Sequence, residues 1–196
     1  MMTIAERLRH ETRALHEQTE ALLYHDPLRT GTMNQEQYRH LLRAHWTFHQ
    51  ALETAIDQNP AFFQSYDQDD RRKTPWLEAD LAELNMPVPD SKPDLFRQWL
   101  PLDLLGAAYV GEGSMLGGKA VMHYLQKSPA LQPLLANARF YRGYGAEALN
   151  KWKAFGTILA AQNEADHDQI IEAAQRAFLA YHDIFRHTQP EHQAVA

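Results

Sequence analysis

Five of the chain's nine glycines fall inside Leu105–Leu125, LGAAYVGEGSMLGGKAVMHYL, a stretch whose other residues suit a helix. They stand at positions 106, 111, 113, 117 and 118. Each glycine in a helix interior costs roughly 0.5–1 kcal/mol against alanine. A helix that carries so many needs bare backbone for a purpose. One purpose is tight packing against another helix. The other is a broad, flat ligand lying on the backbone where a Cβ would collide.

The rest of the chain supplies helices for that stretch to work with. Thr3-Ile-Ala-Glu6 is a capping box, and Ile4, Leu8, Thr12, Leu15, Thr19 and Leu22 follow at helical spacing. The first helix is expected to run unbroken to about Tyr24, with His16 at the flank of its apolar stripe. Asn34 caps a second helix, with Gln37 at the box position, whose apolar face runs from Tyr38 to Ile56 and ends near Gln58. A short helical piece is expected at 61–66, and the charged run 67–73 reads as solvated. Trp76, Leu77, Leu81 and Leu84 mark a third helix, and 86–93 a loop. One or two helical turns are expected in 94–100. Pro101 suits the first position of the glycine-rich helix, which should end near Lys127. A short element between Pro129 and Pro133, a kink or helix entry at 140–145, a helix to about Ala161 and a last helix from His167 to Phe185 complete the chain. No run alternates at period two. The fold class is therefore all-α, as a single domain over 1–196, with 187–196 a frayed tail.

Composition removes several functions. There is no cysteine, which excludes disulfides, thiolate nucleophiles and Cys-based metal sites, and fits a reducing compartment. The net charge of −6 is interspersed, with no basic block for nucleic acid. No apolar run is long enough for a membrane span, and the charged first residues are not a signal peptide. Gly111-Glu-Gly-Ser114 lacks the strand and the second glycine of a nucleophile elbow. A di-iron bundle needs two Glu-x-x-His motifs, and only Glu164–His167 is present, although the i,i+4 pairs His45–His49 and His16–Glu20 keep a non-haem metal site open. Haem is the other metal reading. Without cysteine its axial ligand would be a histidine on a broad face. His16 permits this, with Glu20 one turn on to hold the other ring nitrogen. On the residues alone His16 is more often a surface or packing histidine than a ligand.

Two segments carry a family resemblance. Leu8–Glu20, LRHETRALHEQTE, resembles the proximal helix of haem oxygenases, and Tyr109–Gly118, YVGEGSMLGG, resembles their distal helix. The Glu-Gly-Ser-x-Leu-Gly-Gly run is closest to the bacterial branch associated with bacteriophytochromes. Phe140–Gly145, FYRGYG, with Trp152–Phe155, is similar to the segment that follows in that family.

The resemblance implies a haem-oxygenase-like multi-helical fold with haem sandwiched between proximal and distal helices. It implies oxygen-dependent opening of haem b, at once substrate and cofactor, to biliverdin, expected at the alpha meso carbon, with release of iron and carbon monoxide. Electrons would come from a redox partner protein, an external reductase or ferredoxin, since no flavin or nicotinamide fingerprint is present. In that branch a bacteriophytochrome is a further partner, receiving biliverdin. The setting implied is cytoplasmic, away from membrane and nucleic acid.

Carried over by position, His16 is the iron ligand and Glu20 its partner. Gly113, Gly117 and Gly118 are distal backbone against the ring, and water near Gly113 and Ser114 supplies protons. Arg9, Arg142, Arg139 and Tyr109 serve the propionates. Phe155 and Trp152 read equally as pocket wall or as core aromatics. Gly106 reads as packing. Two positions depart from pattern: Ser114 stands where the animal-type enzymes have aspartate, and Gly111 where bacterial relatives carry a larger apolar residue. The alternatives are a non-catalytic haem carrier or sensor and a non-haem metal-binding helical oxidase.

Overall fold

The computed structural model describes residues 2–189. Nine α-helices form among them: α1 (Ile4–Glu11), α2 (Arg13–Leu22), α3 (His25–Thr30), α4 (Gln35–Asp57), α5 (Thr74–Glu83), α6 (Pro101–Leu125), α7 (Gln132–Leu135), α8 (Ala148–Ala160) and α9 (His167–Thr188). Short 3-10 turns join several of them, and the described residues contain no strand. The fold is the all-α one expected. α9 carries His187 and Thr188 within the helix, two residues past the expected end of order. Residues 190–196, the rest of the expected tail, lie outside the described residues.

The first helix is not continuous. Thr12, buried, turns its hydroxyl back on the Leu8 carbonyl at 2.7 Å, and the chain bends there between α1 and α2. A threonine that reads as part of an apolar stripe is instead a hinge between two short helices. α2 then ends at Leu22, because Tyr24 adopts a left-handed conformation with φ 57°.

α4 starts as its capping box dictates. Asn34 Oδ1 accepts from the Gln37 N–H at 2.9 Å, and Gln37 Oε1 accepts from the Asn34 N–H at 3.0 Å. It buries far more than one face. Nearly every residue from Tyr38 to Ile56 is inside, including His40, His45 and His49, so α4 is a central helix rather than an amphipathic surface one. The segment 61–66 is a series of turns, not a helix, and α6 stops at Leu125. The 67–73 run is not solvated as a whole: Arg71 and Lys73 are buried.

α6 and α9 form the closest helix pair. A Cβ on Gly106 would run into the Ile170 carbonyl and lie 2.8 Å from both Ala173 Cβ and the Ala174 nitrogen. Here glycine serves packing, as expected. The entry of α6 is fixed on the same side by Asp103, which accepts from Leu100 N–H at 3.1 Å, Gln169 Nε2 at 3.0 Å and Arg176 Nη2 at 3.0 Å. Gly106→Ala should force the two helices apart and destabilise the protein by roughly 1–3 kcal/mol, the usual cost of overpacking. Urea unfolding checks this; an unchanged midpoint would mean the helices can slide without loss.

Candidate functional site

The chain touches α6 just before α2 and again after α3, while α2 itself packs on α9 rather than on α6. At one end Tyr109 of α6 lies against Thr12 and Arg9; burial raises its phenol pKa, and those two neighbours oppose the rise. At the other, the turn after α3 touches the end of α6, where a Cβ on Gly31 would lie 2.8 Å from the Lys127 carbonyl oxygen. From Tyr109 to its end at Leu125, α6 measures about 24 Å at the helical rise. No residue of α2 is buried, which is unusual for a helix inside a compact fold. Between the two meeting points, the side chain of His16 is 58% exposed and that of Glu20 62%. On α6, Ser114, Leu116 and Gly117 are exposed. The gap thus offers a histidine from one wall and bare helix backbone from the other.

His16 is held from behind by α9, its ring edge-on to Phe178 with centroids 6.1 Å apart. Glu20 Oε1 lies 3.7 Å from His16 Nδ1, near enough to act on the ring by charge but too long for a hydrogen bond. One turn further along α2, Thr19 Oγ1 and His182 Nε2 are 2.7 Å apart, which ties α2 to α9.

The glycines of α6 separate into distinct jobs. A Cβ on Gly117 would meet nothing within 4 Å, so its backbone is open to the gap. Gly113 would present its Cβ to the Trp152 ring at 3.9 Å, an ordinary contact. Gly118 does not face the gap. Its Cβ would lie 2.9 Å from the Tyr141 carbonyl, so this glycine lets the 140–142 turn press onto α6. Gly111, unassigned by sequence, backs onto α4: a Cβ there would come within 3.3 Å of His49 Cε1 and 3.6 Å of Leu52 Cδ2. Ser114, exposed, donates its hydroxyl to the Gly111 carbonyl at 2.7 Å.

The other expected site residues have these surroundings. Phe155 is 0% exposed and packs on Tyr66 and Trp152, so it is a core aromatic with no face left for a pocket. Trp152 is only half-buried and stacks beside Tyr109. Arg142 directs its guanidinium to the Leu135 and Ala136 carbonyls, closing the end of α7. Arg139 sits 4.0 Å from Asp80 and from Glu83, and its backbone N–H donates to Asp80. Both arginines are engaged by their own surroundings. Arg9, exposed beside Tyr109, is the cation the structure brings to the gap.

Sequence reading missed a buried charge cluster directly behind the gap. Glu112, its side chain 1% exposed, accepts from Arg71 Nη1 at 2.5 Å, from Tyr66 at 3.1 Å, from Tyr144 at 3.0 Å and from Lys73 Nζ. Burial, reinforced by Glu112, holds the Tyr66 and Tyr144 phenols protonated, as donors must be. Arg71 also donates to the Lys151 carbonyl of α8 at 3.0 Å. The signal was present: Glu112 is the one charged residue between Asp103 and Lys119. A lone charge in an apolar helix asks for buried partners.

Two of the buried histidines on α4 are already employed. His40 lies between Tyr24 and the Phe185 carbonyl, and His45 between the Tyr141 and Tyr181 hydroxyls. Among the described residues no group of three His, Asp or Glu side chains converges to hold a metal ion. That leaves the non-haem metal reading without a site there. No described helix is long and apolar enough to cross a membrane.

Comparison with known proteins agrees with this fold. A curated protein of Xanthomonas campestris pv. campestris named "Heme oxygenase" is 29% identical over 158 residues, covering 78% of this chain and 90% of its own length. The heme oxygenase structure of Leptospira interrogans superposes with a TM-score of 0.81 at 18% identity, covering 95% of this chain and 100% of that one. The NO- and CO-bound heme oxygenase of Neisseria meningitidis gives 0.76 at 20% identity, covering 98% of each chain. Both structural likenesses speak for the fold. The family profile described as "Heme oxygenase" matches residues 2–187, nearly the whole chain. With that match over nearly the whole of an all-α fold shared with solved heme oxygenases, the chain belongs to the haem oxygenase family, enzymes of oxidative haem cleavage.

Proposed function

We propose that haem lies in the gap between α2 and α6, with His16 as its axial ligand and the Gly117 backbone against the opposite face of the ring. The observation that carries this reading is the pairing of an exposed, acid-flanked histidine with an exposed glycine across a gap closed at both ends. The residues fit the group. His16 offers Nε2 while Glu20 stands at Nδ1, where it favours the tautomer that leaves Nε2 unprotonated. Arg9 and Tyr109 stand together at one end of the gap to receive a carboxylate.

Bound haem supplies the iron and the conjugated ring on which oxygen and electrons act. The chain's own part is position and proton supply. His16 holds the ring from α2, and the edge contact with Phe178 limits its rotation. Gly117 lets the helix backbone approach closely, which narrows the space left for oxygen. Ser114, anchored on Gly111, keeps its oxygen free to accept a water O–H at the same face.

The Glu112–Gly118 run supports membership of the bacterial branch associated with bacteriophytochromes. In this reading biliverdin is handed to such a photoreceptor, and a cytoplasmic reductase or ferredoxin provides the electrons. Aerobic incubation of the purified protein with haem and a reductase tests the central point. Loss of the Soret band with growth of biliverdin, identified by chromatography, is expected. A stable haem complex under the same conditions would make the protein a carrier and sink the reading.

The close-approach argument has its own test. Gly117→Leu should weaken haem binding at least tenfold, because it fills the space the ring needs. The haem-free protein should melt no lower than the parent, since an exposed helical glycine costs about 1 kcal/mol that leucine recovers. Haem titration beside thermal melting reads both. Unaltered affinity would remove Gly117 from the ring face.

A further inference from the structure

Glu112 and Gly117 are five residues apart on one helix, about 140° around its axis. While Gly117 and Ser114 face the gap, Glu112 points the other way, into the protein. There it is gripped from two separate segments, and a third braces the grip. Tyr66, Arg71 and Lys73 come from the connection between α4 and α5, Tyr144 from the turn before α8, and the Lys151 carbonyl of α8 holds the far side of Arg71. Lys73 also lies over the Tyr144 ring at 5.3 Å, and Arg71 over Tyr66 at 5.1 Å. Arg71 Nε is buried without a partner, so the cluster is not arranged for the best hydrogen-bond economy.

A buried cluster of this kind is a poor device for stability. Desolvating the ions consumes most of what their attraction returns, and apolar packing of the same volume often does as well or better. What it supplies instead is direction. Four donors converging on one carboxylate fix the rotation of the helix that carries it, which apolar contacts do not. The need is local. Gly111, Gly113, Gly117 and Gly118 remove side chains from this part of α6 and weaken the helix there. Glu112 sits between the first two of them.

We propose that Glu112 is a positioning residue: its carboxylate, clamped by Arg71, Lys73, Tyr66 and Tyr144, sets the rotation of α6 and so how the Ser114–Gly117 backbone meets the bound ring. The proposal rests on haem lying against α6. The anchor acts through the helix and does not touch the ring. Ring orientation relative to that backbone governs which meso edge is reacted upon, so the clamp contributes to regiochemistry.

The test compares the parent with Glu112→Gln, which keeps shape and hydrogen-bonding atoms but removes the charge. Glu112→Gln combined with Lys73→Gln serves as the charge-balanced version should the single variant unfold. In the haem-free proteins, amide exchange over 109–118 should quicken at least tenfold while 170–185 of α9 stays unchanged. With haem and a reductase, a second biliverdin isomer should rise to at least a tenth of the product, and the pH midpoint of the ferric haem complex's visible spectrum should move by about half a unit. Unchanged exchange overturns the clamp whatever haem does. Faster exchange with an unchanged isomer ratio and pH midpoint overturns it too, by making the cluster merely structural. A parent that takes up no haem at His16 overturns the placement of haem and the proposal together. That failure is recognised by exchange that still differs between the proteins.

Discussion

His16→Ala is expected to abolish normal haem ligation and reduce turnover by more than the roughly 10–100-fold that losing a partner in a ligand's surrounding shell costs. The fold should not suffer. The His16 side chain is 58% exposed, and the helix that bears it buries none of its residues. What alanine removes is one edge contact with Phe178 and the nitrogen that faces the gap. Circular dichroism and thermal melting of the haem-free variant should therefore match the parent, while the ferric haem spectrum should lose its histidine-ligated form. His123 gives the control. It is also exposed, but it lies on α6 itself, and His123→Ala should leave both spectrum and rate unchanged. A His16→Ala protein with the parent's ferric spectrum and rate would remove His16 from the iron and reopen the choice among the exposed histidines.

The features legible in the sequence were those written in short-range chemistry. Capping boxes, prolines and apolar spacing located α4, α5, α6, α8 and α9, and the glycine run marked the helix that leaves backbone bare. What stayed hidden depends on contacts between distant segments. Arg71 and Lys73 belong to an Asp-Asp-Arg-Arg-Lys run that looks solvated because its charges can satisfy one another locally. Only the fold brings Glu112 to them, across 41 and 39 residues of sequence. Gly117 and Gly118 are neighbours with opposite surroundings, and which of them meets the Tyr141 carbonyl is decided by where the 140–142 turn docks. Phe155 stayed open between two readings for a related reason: an aromatic beside a pocket and an aromatic in the core have the same spacing. The bend at Thr12 was readable only in part, since a threonine in a helix either points to solvent or turns back on its own carbonyl.

Acid should destabilise the protein steeply before its carboxylates titrate, and the cause is the histidine interior of α4. His45 is fully buried between two tyrosines, its Nε2 3.0 Å from the Tyr141 hydroxyl and its Nδ1 3.0 Å from that of Tyr181. One ring nitrogen donates and the other accepts, which only the neutral imidazole can do. Burial, with a smaller contribution from His40, pushes its pKa down to about 3. His49, against Gly111, is held well below the ordinary range by burial first, then by Lys73 and His45. Both folded values lie below the unfolded one near 6.5, so the unfolded chain binds more protons as pH falls. The stability they contribute is complete above that value and is lost on the way down to the folded pKa. By pH 5 His45 alone should have cost about 2 kcal/mol relative to neutral pH, at about 1.4 kcal/mol per unit. His49 adds to the loss. Glu53 and Asp80, whose values burial raises, work in the opposite direction, and their relief grows as pH falls through their own folded values. Urea unfolding of the haem-free protein at pH 7, 6 and 5 should show stability falling at each step. His45→Phe should be less stable at pH 7, with two tyrosine hydroxyls orphaned, yet show a flatter dependence on pH. Equal stability of the parent at pH 7 and pH 5 would mean that water or rearrangement lets these rings charge in place.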